Sequence, residues 1–183
     1  MSSPRIISGS ARGIRLKVAP GDITRPITDR VKEALFNIIG PDILDSFFLD
    51  LFGGSGSVGI EALSRGAKFA QFIDLNCTAI DAIRNNLEST KLLPKAKLVQ
   101  SDAFAYISRK SDSAFDYVFI APPQYKEMWI KALLLIDLHS DWLNPEAWVI
   151  IQIDPIEYQK LELKNLKEFD SRKYGSTLLV FFR

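Results

Sequence analysis

Residues 47–66 read FFLDLFGGSGSVGIEALSRG. An apolar run, Phe47–Phe52, is the right length for a buried strand. The glycine-rich turn after it leads into a segment predicted to be helical from about Ser57 to Arg65. Within the turn, Gly54-Ser55-Gly56-Ser57-Val58-Gly59 matches G-x-G-x-x-G between a strand and a helix. Such a turn lets backbone N–H groups approach a nucleotide-like ligand closely. Asp74 follows about 20 residues later, at the end of the next apolar run, where a carboxylate takes ribose hydroxyls. A strand–glycine turn–helix–strand–acid unit predicts an open α/β sheet that binds an adenosine-containing cofactor.

The glycine pattern alone leaves a dinucleotide and S-adenosyl-L-methionine both open. Asp50, just before the turn, separates them. A carboxylate beside a pyrophosphate would repel it, whereas the methionyl end of S-adenosylmethionine carries an ammonium next to a sulfonium. The pattern Asp50-x-Phe52-x-Gly54-x-Gly56 therefore favours S-adenosylmethionine over NAD, with Ser55 inside the cofactor loop. Asp102-Ala103, after a third strand, places another acid where it could accept from the adenine amino group or cap the following helix. Three acids at consecutive strand ends would face one crevice.

Alternation of apolar runs and helical spacing extends to both sides of this unit. Strands are expected at 68–74, 96–100, 115–120 and 147–153. Helices are expected at about 76–90, 102–109 and 126–138. This pattern predicts a Rossmann-like, mostly parallel doubly wound sheet. The runs LKEFDSRKY and STLLVFF (166–174 and 176–182) predict a closing antiparallel pair around Gly175. Ahead of the sheet, RIIS and IRLKVA joined by GSARG predict a β-hairpin. Thr28 is positioned to cap a helix over 29–39 that Gly40-Pro41 stops. The expected division is a basic hairpin-and-helix extension over 1–40 and a catalytic domain over 41–183.

The 183 residues are 47 % hydrophobic and 25 % charged with a net charge of +1, so a polyanion partner is not advertised by the whole molecule. The charge is uneven, however: Arg5, Arg12, Arg15 and Lys17 stand without an acid in the first twenty positions, and Arg25, Arg30 and Lys32 follow. That face is suited to phosphates. One cysteine and one histidine are too few for a zinc site, so no metal is expected; Cys77 is expected to be buried and His139 to lie on the surface. Neither a membrane-length apolar stretch nor a signal-peptide core is present, and the expected location is cytoplasmic.

The blocks RIISGSARGIRL, TRPITDRVKEALFNII, FLDLFGGSGSVGIEALSRGA, the strand-ending Asp74, NNL at 85–87, SDAF, Pro122-Pro123 and YGSTLLVFF occur in this order. Together they strongly resemble the RsmD-type methyltransferases over nearly the whole chain. The resemblance implies a class I S-adenosylmethionine-dependent methyltransferase fold with an N-terminal extension that holds RNA. It implies methylation of the exocyclic N2 of a guanine in 16S rRNA, with the 30S subunit or an assembly intermediate as partner. Arg5, Arg12, Arg15 and Lys17 would then contact phosphates, with Arg25 and Arg30 nearer the active site.

The chain departs from the family at the catalytic strand end. FDYVFI is followed by Ala121-Pro122-Pro123-Gln124-Tyr125, where the family usually has Asp-Pro-Pro-Tyr. In the usual arrangement the acid accepts from the target amine and the aromatic ring stacks on an extruded base. Loss of one charge-assisted hydrogen bond is worth roughly 1.5–3 kcal/mol, about 10- to 150-fold in rate. The residues before each proline stay extended, which keeps the carbonyls of Ala121 and Pro122 available. The expectation is an active variant in which these carbonyls and Gln124 accept from the amine and Tyr125 supplies the ring. An N6-adenine DNA methyltransferase and a binding or ribosome-assembly factor that has lost its chemistry are the alternatives.

Overall fold

The computed structural model describes residues 3–19, 27–124 and 126–183, so Arg25 and Tyr125 lie outside the described residues. Helix α1 (Asp29–Ile39) begins as expected at Thr28, whose Oγ1 accepts from Val31 N, and ends at Gly40 with φ +67°. The chain then makes a short 3₁₀ turn over Gly40–Ile43. The sheet elements are β1 (Phe47–Asp50), β2 (Phe69–Asp74), β3 (Ala96–Gln100), β4 (Phe115–Ile120), β5 (Leu143–Ile153), β6 (Glu168–Tyr174) and β7 (Thr177–Phe182). The remaining helices are α2 (Ser57–Ser64), α3 (Cys77–Ser89), α4 (Ala103–Ile107) and α5 (Met128–Leu138).

The strands lie in the order β3-β2-β1-β4-β5-β7-β6. β1 to β5 are mutually parallel, while β7 runs antiparallel between β5 and β6. The chain leaves β1 in one direction through β2 to β3, then returns to place β4 on the other side of β1. The crevice above the carboxyl ends of β1 and β4 is therefore the switch point where such sheets bind ligands.

Strand alternation divides the core between two faces. Phe48, Phe72, Tyr117, Phe119, Ile150 and Phe181 pack with α1, α2 and α3. Leu49, Ile73, Val118, Ile120, Ile151 and Val180 pack with α4 and α5. Both faces being covered explains why β1 and β4 read as continuous apolar runs rather than alternating ones. Ile6, Ala11 and Leu16 from the N-terminal segment join the first face.

β5 starts at Leu143, four residues before the apolar run expected over 147–153. The structure carries Pro145 in an irregularity, with Glu146 at φ +62° and Phe115 paired to Leu143 while Tyr117 pairs to Trp148. Pro lacks the ladder donor, and a bulge is where a strand tolerates that loss.

The expected N-terminal hairpin is present only as one antiparallel bridge, Arg5 to Arg15, flanked by bonds from Ile6 N to Ile14 O and from Leu16 N to Pro4 O. Its turn is docked rather than free: Ser10 N donates to Ser64 O, and Ala11 N to Ser64 Oγ. A Cβ on Gly9, which has φ +83°, would fall 1.8 Å from the Ser64 carbonyl oxygen. The segment's hydrogen bonds go to α2 instead of extending a two-stranded ladder.

α2 lies close over β2, and Gly59 permits it. A Cβ there would fall 2.3 Å from Phe72 Cε1. Gly59→Ala is expected to cost about 1–3 kcal/mol by overpacking, measured by urea denaturation. Adding Phe72→Leu should recover part of that loss, because it removes the ring that the new methyl meets.

Candidate active site

Parallel pairing brings the predicted acids to one edge. Asp50 ends β1, level with Phe72 on β2 and Phe119 on β4; Asp74 ends β2, level with Gln100 on β3. Asp102 follows β3 and caps α4, its Oδ1 accepting from Ala105 N at 2.8 Å. The two readings of Asp102 are thus compatible, since Oδ1 caps the helix and Oδ2 takes no protein hydrogen bond among the described residues. Ala103 is buried beside it, and Phe52 stands edge-on to Phe104 with ring centroids 6.0 Å apart.

The glycine turn is held from three sides. Gly53 N donates to Ile73 O, Gly54 N to Asp74 Oδ2 at 2.9 Å, and Gly56 N to Gly53 O. Gly54 and Gly56 sit at φ +54° and +75°, conformations that glycine adopts without strain. Asn86 on α3, 1 % exposed, donates through Nδ2 to Ser55 O and Lys17 O, and accepts at Oδ1 from Lys17 N. One buried amide thus ties the basic N-terminal segment to the turn; the sequence showed this residue only within NNL, with no role. Leu75 was also missed: directly after Asp74, it is 67 % exposed, an apolar side chain at the lip of the crevice.

Asp50 is the electrostatic anomaly of the site. It is 2 % exposed, and among the described residues its one hydrogen bond is from Gly59 N at 3.2 Å. No described cation pairs with it. Burial pushes its carboxyl up from 3.8 to about 8; the Gly59 N–H opposes the rise and the charge of Asp74 adds to it. A folded-state pKa above the unfolded one means that the native state binds more protons between those values. Stability is therefore expected to fall as pH rises from about 4 to about 8, and Asp50→Asn should flatten that part of the curve. A ligand bringing positive charge to Asp50 favours the carboxylate, so its binding should release a proton at pH 7. Titration calorimetry in buffers of different ionisation enthalpy reads that proton.

The Pro-Pro segment continues β4 beside this acid. Ala121 is half-buried against the first core face, Pro122 is buried, and Pro123 and Gln124 are partly exposed. Ala121 and Pro122 directly follow β4, whose Phe119 is level with Asp50, and Gln124 lies in the turn that follows. Tyr125 is outside the described residues.

Of the basic residues, Arg12, Arg15, Lys17 and Arg30 are exposed. Arg5 is exposed but paired to Asp29 at 2.7 Å. Lys32 corrects the sequence reading: it is fully buried, donating to Arg5 O at 2.6 Å and Ser57 Oγ at 2.8 Å, with Glu61 Oε2 3.5 Å away. Cys77 corrects it too, being exposed at the start of α3. The opposite edge of the sheet holds an open depression of about 550 Å³ lined by Asp42, Asp45, Asp116 and Glu146 among others, with Arg183. Four acids against one arginine make that edge unsuited to phosphates. Among the described residues no group of three or more His, Cys, Asp or Glu is placed to hold a metal ion, and no helix is long and apolar enough to cross a membrane.

The strand order, the glycine turn and the acids at the carboxyl edge define a Rossmann-like fold of the methyltransferase type. Residues 4–183 match the family described as conserved hypothetical protein 95, and the chain belongs to it, the RsmD-type family expected from its motifs. It is 40 % identical over 152 residues to the candidate rRNA methyltransferase YlbH of Bacillus subtilis, covering 82 % of each chain. It is 36 % identical over 148 residues to ribosomal RNA small subunit methyltransferase D of Escherichia coli, covering 81 % of this chain and 73 % of that one. The solved structure of the Escherichia coli protein yhhF, a candidate methyltransferase, superposes with a TM-score of 0.87 at 30 % identity, over 99 % of this chain and 97 % of that one.

Proposed function

We propose that the protein transfers a methyl group from S-adenosyl-L-methionine to the exocyclic N2 of a guanine in 16S rRNA of the small ribosomal subunit. The observation that carries this is a buried carboxylate without a cation, Asp50, lying beside a Pro-Pro strand end at the switch point. A pyrophosphate would hold this carboxyl in its neutral form, whereas an ammonium would stabilise the carboxylate and relieve the burial of its charge. The relatives' names support small-subunit rRNA as the substrate class.

The residues present fit that cofactor. Asp50 would hold its ammonium end, the turn over Gly54, Ser55 and Gly56 its methionyl backbone, and Asp74 its ribose hydroxyls. Leu75 and Ala103 would cover the adenine, with Asp102 accepting from the adenine amine. The cofactor supplies a methyl group on a cationic sulfur, a leaving group that departs neutral, so no strong base is required. The chain's task is to hold the target nitrogen in line with that methyl and to accept hydrogen bonds from the amine as positive charge develops on it. The carbonyls of Ala121 and Pro122, together with Gln124, would accept these bonds, and Tyr125 would stack on the extruded base.

Arg12, Arg15, Lys17 and Arg30 would form the surface for rRNA phosphates, with Arg5 contributing less because Asp29 pairs with it. Replacing Arg12, Arg15 and Lys17 together by Ala should weaken RNA binding and reduce the salt slope by about 2–3. Cofactor affinity should stay unchanged, and filter binding across a salt series measures this.

Ala121 gives one observation in favour of a second reading, a binding or assembly factor that keeps the fold without turnover. Digestion of small-subunit rRNA to nucleosides after incubation with methyl-labelled cofactor separates the two. N2-methylguanosine at one site supports the proposal. A different methylated nucleoside, or none from particles that an acid-bearing relative can modify, overturns it.

A further inference from the structure

The depression of about 550 Å³ lies at the end of the sheet opposite the crevice, beside the amino ends of β1 and β4. On its lining, Asp42, Asp45 and Glu146 are exposed. None of the three side chains makes an ion pair or hydrogen bond among the described residues. Asp116 is already committed, since its Oδ2 accepts from Phe47 N and its Oδ1 from Asn144 Nδ2. Arg183, on the same lining, lies over the Phe169 ring at 5.1 Å rather than on a carboxylate.

Acids alone would make an ordinary solvated rim. Tyr117, which shares the lining, sets this one apart. It is 6 % exposed, stacked on Phe48 with ring centroids 6.3 Å apart and standing at 81° to Trp148. Its hydroxyl nevertheless has no hydrogen-bond partner among the described residues. Burial first, then the charges of Asp42 and Asp116, push this phenol up to about 12. The hydroxyl therefore keeps its proton and faces the carboxylates across the open space. A nearly buried hydroxyl with no protein partner calls for one from outside the chain.

We propose that this depression docks an arginine-bearing segment of a protein partner. The carboxylates of Asp42, Asp45 and Glu146 would take the guanidinium, Tyr117 Oη would accept one of its N–H groups, and Trp148 would pack against its plane. Four acids against one arginine repel phosphates here. The described carboxylates are also not grouped to share a metal ion. A guanidinium answers every feature: its fork pairs with carboxylates, its plane packs on aromatic rings, and it sheds water more readily than an ammonium does. The depression and the crevice lie at opposite ends of β1 and β4, so such a partner and the cofactor would not compete. The proposal does not depend on the reaction assigned to the crevice.

The test titrates the full chain with a hexa-arginine peptide in about 0.15 M salt and follows tryptophan emission, to which the partly exposed Trp148 contributes. Wild type should bind it at least about fivefold more tightly than hexa-lysine. Tyr117→Phe should weaken binding about three- to tenfold and melt no lower, because the lost hydroxyl had no partner. Asp45→Asn with Glu146→Gly should weaken it more than about tenfold. That pair should also leave the fold intact, since Asn and Gly suit the φ values of +57° and +62° at these positions. S-adenosylmethionine affinity should be unchanged throughout. Equal binding by wild type and both variants overturns the proposal, as does no binding at all. Displacement of the peptide by an equal concentration of spermidine overturns it too, because the site would then take a small polyamine rather than a protein.

Discussion

Glu61→Ala is expected to lower the unfolding free energy by about 3–5 kcal/mol, the usual consequence of leaving one member of a buried ion pair alone. Both Glu61 and Lys32 side chains are 0 % exposed. Glu61 accepts from Ile7 N at 2.8 Å, Ser8 N at 3.0 Å and Arg65 Nε at 2.7 Å. The substitution removes the partner of Lys32 and orphans two backbone donors that tether the N-terminal segment. Burial already holds the Lys32 ammonium below its ordinary pKa, and the Glu61 charge is the largest influence opposing that shift. Without Glu61 the lysine is driven further toward neutrality. Adding Lys32→Met should recover much of the loss, since a packed apolar pair can replace a buried ionic one. The measurement is the urea midpoint at constant m-value. A midpoint unchanged in Glu61→Ala would mean that Glu61 does not hold the basic segment.

Asn86→Ala is expected to act on stability and cofactor affinity together. It removes three hydrogen bonds, to Lys17 N, Lys17 O and Ser55 O, and leaves the Ser55 carbonyl buried without its donor. About 2–4 kcal/mol is expected from two or three such losses. Ser55 lies inside the glycine turn, so the turn loosens and S-adenosylmethionine binding should weaken about tenfold as ordering moves into the binding step. Equilibrium dialysis with labelled cofactor, well below the melting temperature, reads the second effect. Full affinity in a destabilised variant would restrict Asn86 to a tether for residues 3–19.

What was legible in the sequence was local. The FFLDLF run, the glycine turn and the acids at 50, 74 and 102 are set by neighbouring residues, and all fell at the expected strand ends. Boundaries shifted where a local rule was overruled by pairing. The apolar run began at Ala147, yet β5 starts at Leu143 and passes Pro145 on an irregularity. The runs flanking GSARG looked like hairpin strands, yet α2 takes the hydrogen bonds of their turn. Lys32 and Glu61, 29 positions apart, each looked like an exposed helical charge. Only the docking of residues 3–19 onto α1 and α2 buries both. One signal was available: SVGIEALS is apolar nearly all round, and a helix buried on every side must bury its acid.

The central claim is that a strand end lacking its acid still supports methyl transfer. Single-turnover rates of wild type and Ala121→Asp on the same unmodified small-subunit particles test it most directly. The account predicts measurable transfer by wild type and a gain in Ala121→Asp of no more than about tenfold, because acceptors are already in place. Wild type without transfer, beside an Ala121→Asp protein that methylates the particles, would contradict it and mark the natural site as one that binds without turning over.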